Sequence, residues 1–466
     1  MVCLERRCHL FFLKVIVILG ALLLITTSSG KALDDRKLLK VGITLEDRFI
    51  EVSFDEMYRL LEQATGEEIS MLPGRHTFFV TESGICVVDF KGRTVGVYGG
   101  PLYLKPDRTL FDQSSFILHN AVKGEKYRGA LIIQQGSNNH IEAINVVSLD
   151  SYVRGVVPRE MPASWGNYGG MEALKAQAVA SRTYALYYQK QSRHNGYDLC
   201  DTQHCQVYGG KSCETENTNR AVDETSGEIL QYQGRIIAPY YHATNGGFTE
   251  LAQNVWSESL PYLQSVHDPY DDPANPKNIR NMVIHNQARW ETSLSISEVE
   301  HRLASSNNRS GSINHLKIAS LFPSGRVNEL QISLAGGDSV SYYKESARTV
   351  LGLRSQLFHI RETLEDRVWL SGRSSGIDRK ENVTELEGKW VINASGERNM
   401  LIGDTFIARG ASREMQVPQK SVIVEGYGWG HGIGMSQNGA YNRARNDQCY
   451  QDILSFYYPG TVLSLH

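Results

Sequence analysis

The chain has 466 residues, of which 41% are hydrophobic and 21% are charged, and its formal net charge is −3 at pH 7. This composition is typical of globular proteins and is large enough for one large domain or two to three ordinary ones. The small net charge gives no indication of a basic surface, so nucleic acid is not an expected partner.

The first 30 residues have the pattern of an export signal. Arg6, Arg7 and Lys14 precede an apolar run at residues 15–25, and small polar residues follow it. The run is short for a bilayer span and suits a signal peptide, so we expect an exported protein that works outside the cytoplasm. An uncleaved membrane anchor stays open if residues 10–13 are counted, and membrane contact is expected only through this segment.

Residues 40–147 are predicted to form a β-rich N-terminal lobe. Short runs of β-branched and aromatic residues alternate with glycine and proline, which is typical of strands joined by turns. The predicted strands are residues 41–45, 76–80, 86–90, 94–98, 129–133 and 141–147. One helix is predicted at residues 55–64, where apolar residues follow helical spacing. We expect this lobe to share a globule with the rest of the chain; the alternative is a separate binding module.

The sequence Y-V-R-G-V-V-P-R-E-M-P follows at residues 152–162. Its glutamate, Glu160, lies between Pro158 and Pro162. Because proline lacks a backbone donor and biases the preceding residue toward extended geometry, a rigid loop is expected around this carboxylate.

A long helix is predicted from Met171, where the sequence A-L-K-A-Q-A-V-A-S-R-T-Y-A at residues 173–185 is rich in helix formers. Its small residues would allow close packing. Lys175 and Arg182 are seven residues apart and share one helix face, so the two cations and the carboxylate of Glu160 are expected to converge.

The next segment contains two histidines and two cysteines: His194, Cys200, His204 and Cys205. Thiolate sulfur and imidazole nitrogen suit tetrahedral zinc, and a compact loop can place all four around one ion. An exported protein also favours disulfides, so a bond among Cys200, Cys205 and Cys213 is the alternative.

The block Y-Y-H-A-T-N-G-G-F-T-E at residues 240–250 contains a Gly-Gly pair that permits a tight turn. Such a turn would display His242 and Asn245 at the end of a strand. Tyr241 and Trp256 offer aromatic faces for sugars, and we interpret His242 as a cleft residue, although a histidine beside aromatic residues is more commonly structural.

Residues 290–420 are expected to form an inserted subdomain, preceded by a surface loop at residues 269–277. A helix is predicted at residues 297–303, with a capping box between Ser297 and Glu300. The strands predicted after it are residues 316–320, 327–334 and 339–343. The polar stretch 365–421 is interpreted as a β-rich insertion or a partly flexible segment.

The last block is G-Y-G-W-G-H-G-I-G-M-S-Q-N-G-A-Y at residues 426–441. Alternating glycines remove side chains from one face of an extended segment, which allows another backbone or a glycan to approach closely. The glycine spacing does not fit a dinucleotide fingerprint, and the lysine of a phosphate loop is absent.

These four ordered blocks resemble the SpoIID/LytB family, named for the sporulation stage II protein D and for a protein described as an amidase enhancer. The resemblance implies an α+β fold in which a β-rich N-terminal lobe precedes a mixed α/β catalytic lobe. The catalytic lobe would span residues 148–466, surround a substrate cleft and contain the inserted β-rich subdomain. In some SpoIID proteins a zinc ion is held by Cys and His residues in the segment that corresponds to His194, Cys200, His204 and Cys205.

The resemblance also implies an activity, namely a lytic transglycosylase that cleaves peptidoglycan glycan strands and forms 1,6-anhydro-muramic ends, with Glu160 as catalytic acid and base. It puts His431, Ser436 and Gln437 near the cleft and starts a helix within residues 435–443. The residues predicted to bind substrate are Lys175, Arg182, Tyr241, His242, Asn245, His431, Ser436 and Gln437.

A lytic transglycosylase can work with one carboxylic acid, whereas a conventional glycosidase needs two. That acid must hold a proton near neutral pH, and apolar cover from Met161 and Trp165 is expected to raise the pKa of Glu160. Two alternatives from other classes stay open: a non-catalytic enhancer that binds a cell-wall amidase, and a structural wall-binding protein. The expected partners are therefore peptidoglycan glycan strands and a cell-wall amidase.

Overall fold

The computed structural model describes residues 38–45, 48–106, 111–122, 126–191, 193–256, 258–273, 283, 288–307, 311–364, 390–392, 398–400, 407–410, 413–416 and 421–466. The chain divides into two compact units, the first with the residues up to Tyr152 and Ser192–Ser212, the second with Val153–Gln191 and Cys213–His466. The predicted leader at residues 1–30 lies outside the described residues. Among the residues that are described, no helix is long and apolar enough to cross a bilayer.

The first unit is built on one eleven-stranded sheet, which confirms the predicted β-rich lobe. Its strands are β1 (Leu38–Ile43), β2 (Phe49–Glu62), β3 (Glu68–Thr81), β4 (Gly84–Asp89), β5 (Thr94–Tyr98), β6 (Leu102–Lys105), β7 (Ser115–Leu118), β8 (Lys126–Arg128), β9 (Ala130–Gln135), β10 (Ile141–Ser148) and β11 (Leu199–Cys200). The strand order is β11-β1-β10-β9-β6-β2-β3-β4-β5, with β7 paired to β2 and β8 paired to β7. Each strand predicted in this lobe overlaps one of these.

The helix predicted at residues 55–64 is wrong, because residues 55–62 belong to strand β2 and a turn follows them. Tyr58 and Leu60 are fully buried in the sheet, and the Tyr58 hydroxyl donates to the carbonyl of Gly129 at 2.8 Å. The register between β2 and β3 shifts between Phe54 and Tyr58. A second shift lies between Leu60 and Leu61, and such irregularities change the phase of the period-two pattern, so neighbouring apolar residues can resemble helical spacing.

The segment with the two histidines and two cysteines belongs to the first unit, although the boundary predicted at residue 148 assigns it to the second domain. Within it, β11 pairs in parallel with β1. The carboxylate of Asp201 is fully buried and accepts from the backbone N–H of Thr44 at 3.0 Å and from its hydroxyl at 2.6 Å. These bonds fix the segment at the edge of the sheet.

The α-helices among the described residues are α1 (Leu149–Glu160), α2 (Met171–Gln189), α3 (Glu216–Asp223), α4 (Ala252–Val255), α5 (Ile296–Asn307), α6 (Glu345–Leu351), α7 (Gln437–Ala444) and α8 (Tyr450–Tyr457). The remaining strands are β12 (Glu228–Tyr232), β13 (Arg235–Ile236), β14 (Tyr241–His242), β15 (Arg289–Ser295), β16 (Ile313–Leu321), β17 (Val327–Leu334), β18 (Ser339–Tyr343), β19 (Phe358–Leu364), β20 (Trp390–Ile392), β21 (Arg398–Met400), β22 (Ile407–Gly410), β23 (Arg413–Gln416), β24 (Ser421–Tyr427), β25 (Met435–Ser436) and β26 (Val462–Leu465). With several sheets and long helices, the α+β class is confirmed.

Helix α2 is the central element of the second unit and begins at Met171, as predicted. It packs against α3, α7, α8 and β12. Its alanines are almost all fully buried, and their small side chains allow these neighbours to approach closely. Helix α2 therefore fixes where α7 begins.

The predicted inserted subdomain has its own hydrophobic core, which includes Trp290, Leu316, Val350 and Phe358. Strands β16, β17 and β18 form one antiparallel sheet, as predicted, and β15, β24 and β19 form another. Of residues 365–421 the structure describes two short strand pairs, β20 with β21 and β22 with β23, and the first residue of β24.

The helix predicted at residues 297–303 is present as α5, but its predicted capping box is wrong. The hydroxyl of Ser295 accepts from the N–H of Glu298 at 3.1 Å, so the capping serine lies two residues earlier. The carboxylate of Glu300 accepts from the N–H of Ile313 at 2.7 Å and thus joins α5 to β16.

Candidate functional site

Glu160 is the last residue of α1, not part of a loop as predicted, and its side chain is partly exposed. The helix contains Pro158 in its last turn, where the missing N–H removes one helical hydrogen bond. Helical bonding still continues past this point, because the N–H of Met161 donates to the carbonyl of Val157 at 2.9 Å. The Glu160 carboxylate is therefore carried by the end of a helix and not by a rigid loop between two prolines.

Gln437, from the last sequence block, lies beside this carboxylate. Its amide Nε2 is 3.3 Å from Oε2 of Glu160 and 3.5 Å from Oε1 of Gln177 on α2. Gln437 is the first residue of α7, and the Ser436 hydroxyl before it accepts from the N–H of Gly439 at 3.1 Å, which caps the helix. The structure thus joins two predicted site residues that are 277 positions apart in sequence.

Asp271 supports this arrangement and was missed by the sequence analysis, which expected a surface loop at residues 269–277. Its carboxylate is 97% buried and accepts from the hydroxyls of Ser436 at 2.6 Å and Thr244 at 2.8 Å, and from the N–H of Asn245 at 2.5 Å. Burial, together with the nearby carboxylate of Asp268, raises the pKa of Asp271 to about 7. An acidic residue in a polar, proline-containing stretch carries no local signal of such burial.

The Asn245 side chain completes the same network. It is fully buried, and its Nδ2 donates to Asp268 at 2.9 Å while its Oδ1 accepts from the N–H of Gly247 at 2.8 Å. The turn predicted at the Gly-Gly pair is present, with φ of 71° at Gly246 and 110° at Gly247. Asn245 and Ser436 therefore hold the scaffold of the site, and substrate binding by them stays a prediction.

His242 and His431 lie close together, with ring centroids 5.2 Å apart. Nδ1 of His242 donates to the carbonyl of Ile433 at 3.1 Å, whereas Nδ1 of His431 accepts from the N–H of Ile433 at 3.0 Å. Burial lowers the pKa of both: that of His242 well below its usual range, and that of His431, with a contribution from Arg348, to about 3. Both rings are thus neutral at neutral pH and serve poorly as general acids.

Aromatic side chains extend from the histidines along α2. Trp256 lies between the rings of Tyr240 and His431, with centroid distances of 4.6 and 5.0 Å. The hydroxyls of Tyr240 and Tyr188 are 2.7 Å apart. Tyr241, predicted to contact sugar, is partly exposed and lies 6.5 Å from the ring of Tyr184 on the same helix. These rings give the region the aromatic surface that sugar faces pack against.

The two predicted cations make structural contacts. Arg182 is fully buried, and its guanidinium donates to the carbonyls of Glu228 at 3.1 Å and Val222 at 3.3 Å. Lys175 is ion-paired with Glu172 at 2.8 Å and Glu224 at 2.7 Å. Burial opposes the charge of Lys175, but these two carboxylates outweigh it and raise its pKa. Binding of substrate by either cation stays a prediction.

The glycine-rich block is not the extended segment that was predicted. Four of its glycines have positive φ: Gly428 (76°), Gly430 (111°), Gly432 (80°) and Gly434 (69°). The predicted close approach is present, however: a Cβ on Gly432 would lie 2.4 Å from the fully buried guanidinium of Arg326. That guanidinium donates to the carbonyls of Asn245 and Phe248, both at 2.8 Å, and so joins the subdomain to the turn after β14.

The predicted metal ligands converge within the first unit. One ligand atom from each of His194, Cys200, His204 and Cys205 lies within 4.8 Å of the other three. Nε2 of His194 is 3.2 Å from Sγ of Cys205, and Nδ1 of His204 is 3.7 Å from Sγ of Cys200. Two thiols and two imidazoles facing one point are a donor set that fits a metal ion.

The alternative of a disulfide in this segment is not formed, because Cys200, Cys205 and Cys213 are all free thiols. A hydrogen bond from Cys205 lowers the pKa of Cys200 to about 4 and raises that of Cys205. Cys213 lies in the other unit, where its thiol contacts the carbonyl of Gly155 at 3.3 Å.

Comparison with known proteins gives consistent matches. Residues 137–232 match the SpoIID family model, described as Stage II sporulation protein. The chain is 30% identical over 395 residues to the amidase enhancer of Bacillus subtilis, a match that covers 79% of this chain and 48% of that protein. It therefore spans about half the length of this relative.

Two further relatives match over most of their length. An uncharacterized protein of Brachyspira hyodysenteriae is 27% identical over 430 residues, covering 92% of this chain and 93% of that protein. The stage II sporulation protein D of Bacillus subtilis is 27% identical over 338 residues, covering 69% and 76%.

Proposed function

From its membership of the SpoIID family we propose that the chain has a cell-wall-related function and is a lytic transglycosylase that cleaves the glycan strands of peptidoglycan. The observation that carries the proposal is the contact between Glu160 and Gln437 at a partly exposed helix end. A carboxyl group held there by a side-chain amide is both positioned and accessible.

Other carboxylates of the region support this choice because they serve the scaffold. Glu250 is fully buried and accepts from the Ser324 hydroxyl and from Nδ2 of Asn254 at 2.9 Å. Asp268 is also fully buried and accepts from Nη2 of Arg443 at 2.8 Å. A mechanism with one acid suits this arrangement better than one that needs a second accessible carboxylate.

In the proposed reaction, protonated Glu160 gives its proton to the glycosidic oxygen, and the bond from that oxygen to the anomeric carbon of muramic acid breaks. The C6 hydroxyl of the same muramic acid attacks that carbon and forms the 1,6-anhydro ring. Its proton passes to the Glu160 carboxylate, which restores the acid. Met161 and Trp165, one and five residues after Glu160, are 99% and 92% buried, and apolar cover from such side chains would favour the protonated form that this mechanism requires.

The test is Glu160→Gln, with products from purified glycan strands analysed by mass spectrometry. Removal of an acid/base group costs about 10² to 10⁴ in rate, so release of anhydro-muropeptides should fall by at least that factor. Glu67→Gln is a matched control, because this glutamate is exposed and lies in the first unit, and the variant should cleave normally. Near-normal cleavage by Glu160→Gln would contradict the assignment.

The name of one relative, amidase enhancer, favours a second candidate function, the stimulation of a cell-wall amidase without glycan cleavage. In that case wild type releases no anhydro products from glycan strands. Both wild type and Glu160→Gln would then stimulate the amidase equally.

Two further properties belong to this proposal. We propose that the cluster of His194, Cys200, His204 and Cys205 holds one zinc ion in a structural role, because four protein ligands leave no open position for water. We also propose that the protein is exported through its leader at residues 1–30. Cell fractionation tests this, and full-length protein confined to the cytosol would contradict it.

A further inference from the structure

Trp429, in the glycine-rich block, has no role in the proposed mechanism. Its side chain is 41% exposed, whereas Trp165 is 8% exposed and Trp290 is 6% exposed. An indole is large and apolar, so leaving it in solvent forgoes the stabilisation that its burial would supply. A side chain on a rigid backbone cannot become buried through local movement of the chain, so the exposure of this indole needs an explanation.

The backbone at Trp429 is held from two sides. Its N–H donates to the carbonyl of Thr244 at 2.9 Å, and its carbonyl accepts from the N–H of Thr244 at 3.2 Å. The next residue, Gly430, donates its N–H to the carbonyl of Arg354 at 3.0 Å. Gly430 has a φ of 111°, and a Cβ there would lie 2.8 Å from Cβ of His242. The indole is therefore presented from a fixed position.

A cation accompanies the indole. The guanidinium carbon of Arg354 lies 4.9 Å from the centroid of the Trp429 ring, and Arg354 is itself exposed. A guanidinium stacked on an aromatic ring keeps its N–H groups available at its edge, where they match the two oxygens of a carboxylate. The pair thus offers an apolar flat surface and a carboxylate-binding edge together.

This pair belongs to the same scaffold as Glu160. Trp429 and Gln437 are eight positions apart in sequence, so the two lie within about 29 Å of each other even if the chain between them were fully extended. Thr244, which holds the backbone of Trp429, also donates its hydroxyl to Asp271, and Asp271 accepts from Ser436 at the start of α7. A polymer bound beside Glu160 can therefore extend to Trp429.

We propose that Trp429 and Arg354 form a sugar-binding subsite for the glycan strand, in which the indole packs against a sugar ring and the guanidinium binds a carboxylate carried by that sugar. The ligand class is an acidic amino-sugar polymer. This inference rests on the proposed function for the identity of the substrate, and it adds a residue pair that selects for the charged sugar.

The experiment measures binding in the Glu160→Gln background, so that cleavage does not interfere. The probes are peptide-free glycan strands, whose muramic acids carry free lactyl carboxylates, and a chitin oligosaccharide, which has none. Trp429→Ala should weaken binding of both probes by about tenfold, and Trp429→Phe should retain most of the affinity because it keeps an aromatic face. Arg354→Gln should weaken only the binding of the carboxylate-bearing strands.

Tyr343→Ala is the matched control, because Tyr343 is a 54% exposed aromatic residue on β18, and it should bind both probes normally. Unchanged glycan binding by Trp429→Ala overturns the proposal, as does the absence of glycan binding by the parent protein. Loss of amidase stimulation with unchanged glycan binding would also overturn it, since the indole would then dock a protein. If wild type fails to cleave but Trp429→Ala still lowers binding, the subsite stands and the transglycosylase proposal falls.

Discussion

Ser436→Ala tests whether the N-terminus of α7 positions Gln437 beside Glu160. The Ser436 hydroxyl is fully buried, and it makes two contacts that alanine cannot replace. It accepts from the N–H of Gly439 at 3.1 Å and donates to Asp271 at 2.6 Å. The substitution removes the helix cap and takes one of the donors from a buried carboxyl group.

The expected loss of unfolding free energy follows from these two contacts. Loss of a helix cap costs about 1 kcal/mol, and loss of a hydrogen bond to a charged partner costs about 1.5 to 3 kcal/mol. Together they predict a destabilisation of about 2.5 to 4 kcal/mol in the second unit. Because α7 begins with Gln437, the amide beside Glu160 should also become less ordered, and glycan cleavage should fall with stability.

Hydrogen exchange followed by mass spectrometry suits this test, because it reports protection of each segment separately in a chain of two units. Peptides that contain α7 should exchange faster in Ser436→Ala, while peptides from β1 to β10 should not change. Ser305→Ala is the control, since the exposed Ser305 hydroxyl bonds only the carbonyl of His301 among the described contacts. A change in unfolding free energy below about 0.5 kcal/mol in Ser436→Ala would refute the reasoning, because exposed sites give changes of that size.

Three further predictions concern other parts of the chain. Gly432→Ala should destabilise the second unit by about 3 kcal/mol in denaturant unfolding, because it combines strain at positive φ with displacement of the Arg326 guanidinium; wild-type stability would contradict the close contact. Asp271 has a pKa of about 7 in the folded chain against 3.8 ordinarily, so the folded form retains a proton that the unfolded chain releases, and unfolding free energy should fall as pH rises from about 4 to about 7. Asp271→Asn should flatten this slope, and an unchanged slope would rule Asp271 out as its source. Metal analysis should find about one zinc ion per chain, lost together with protection of β1 and β11 in the double variant Cys200→Ser, Cys205→Ser; a Cys200 to Cys205 disulfide without metal would refute this.

Patterns within short stretches of sequence were sufficient to predict helix α2 and the cluster of cysteines and histidines. The alanine-rich run predicted α2 from Met171, and four cysteine and histidine residues close in sequence predicted the cluster that the structure brings together. The signal segment, the domain boundaries and the roles of the substrate-binding residues stay predictions.

Two of the wrong predictions share a physical cause, because distant partners decide the conformation of Asp271 and of strand β2. Asp271 is buried by donors from residues 244, 245 and 436, none of which is visible in its own polar surroundings. Strand β2 is fixed by pairing with β3, β6 and β7, which outweighs its helix-like spacing. Glu160 ends a helix despite two flanking prolines because the lost hydrogen bond is confined to the last turn.

The separation between Glu160 and Gln437 also has a consequence in time. Ribosomes extend a chain by about 5 to 20 residues per second, so the 277 positions between them correspond to roughly 14 to 55 seconds of synthesis. Throughout that interval the nascent chain carries the acid without the amide that positions it, and without the block that bears Trp429. Any wall-cleaving capacity that depends on this amide would therefore arise only after the block at residues 426–441 has been synthesised.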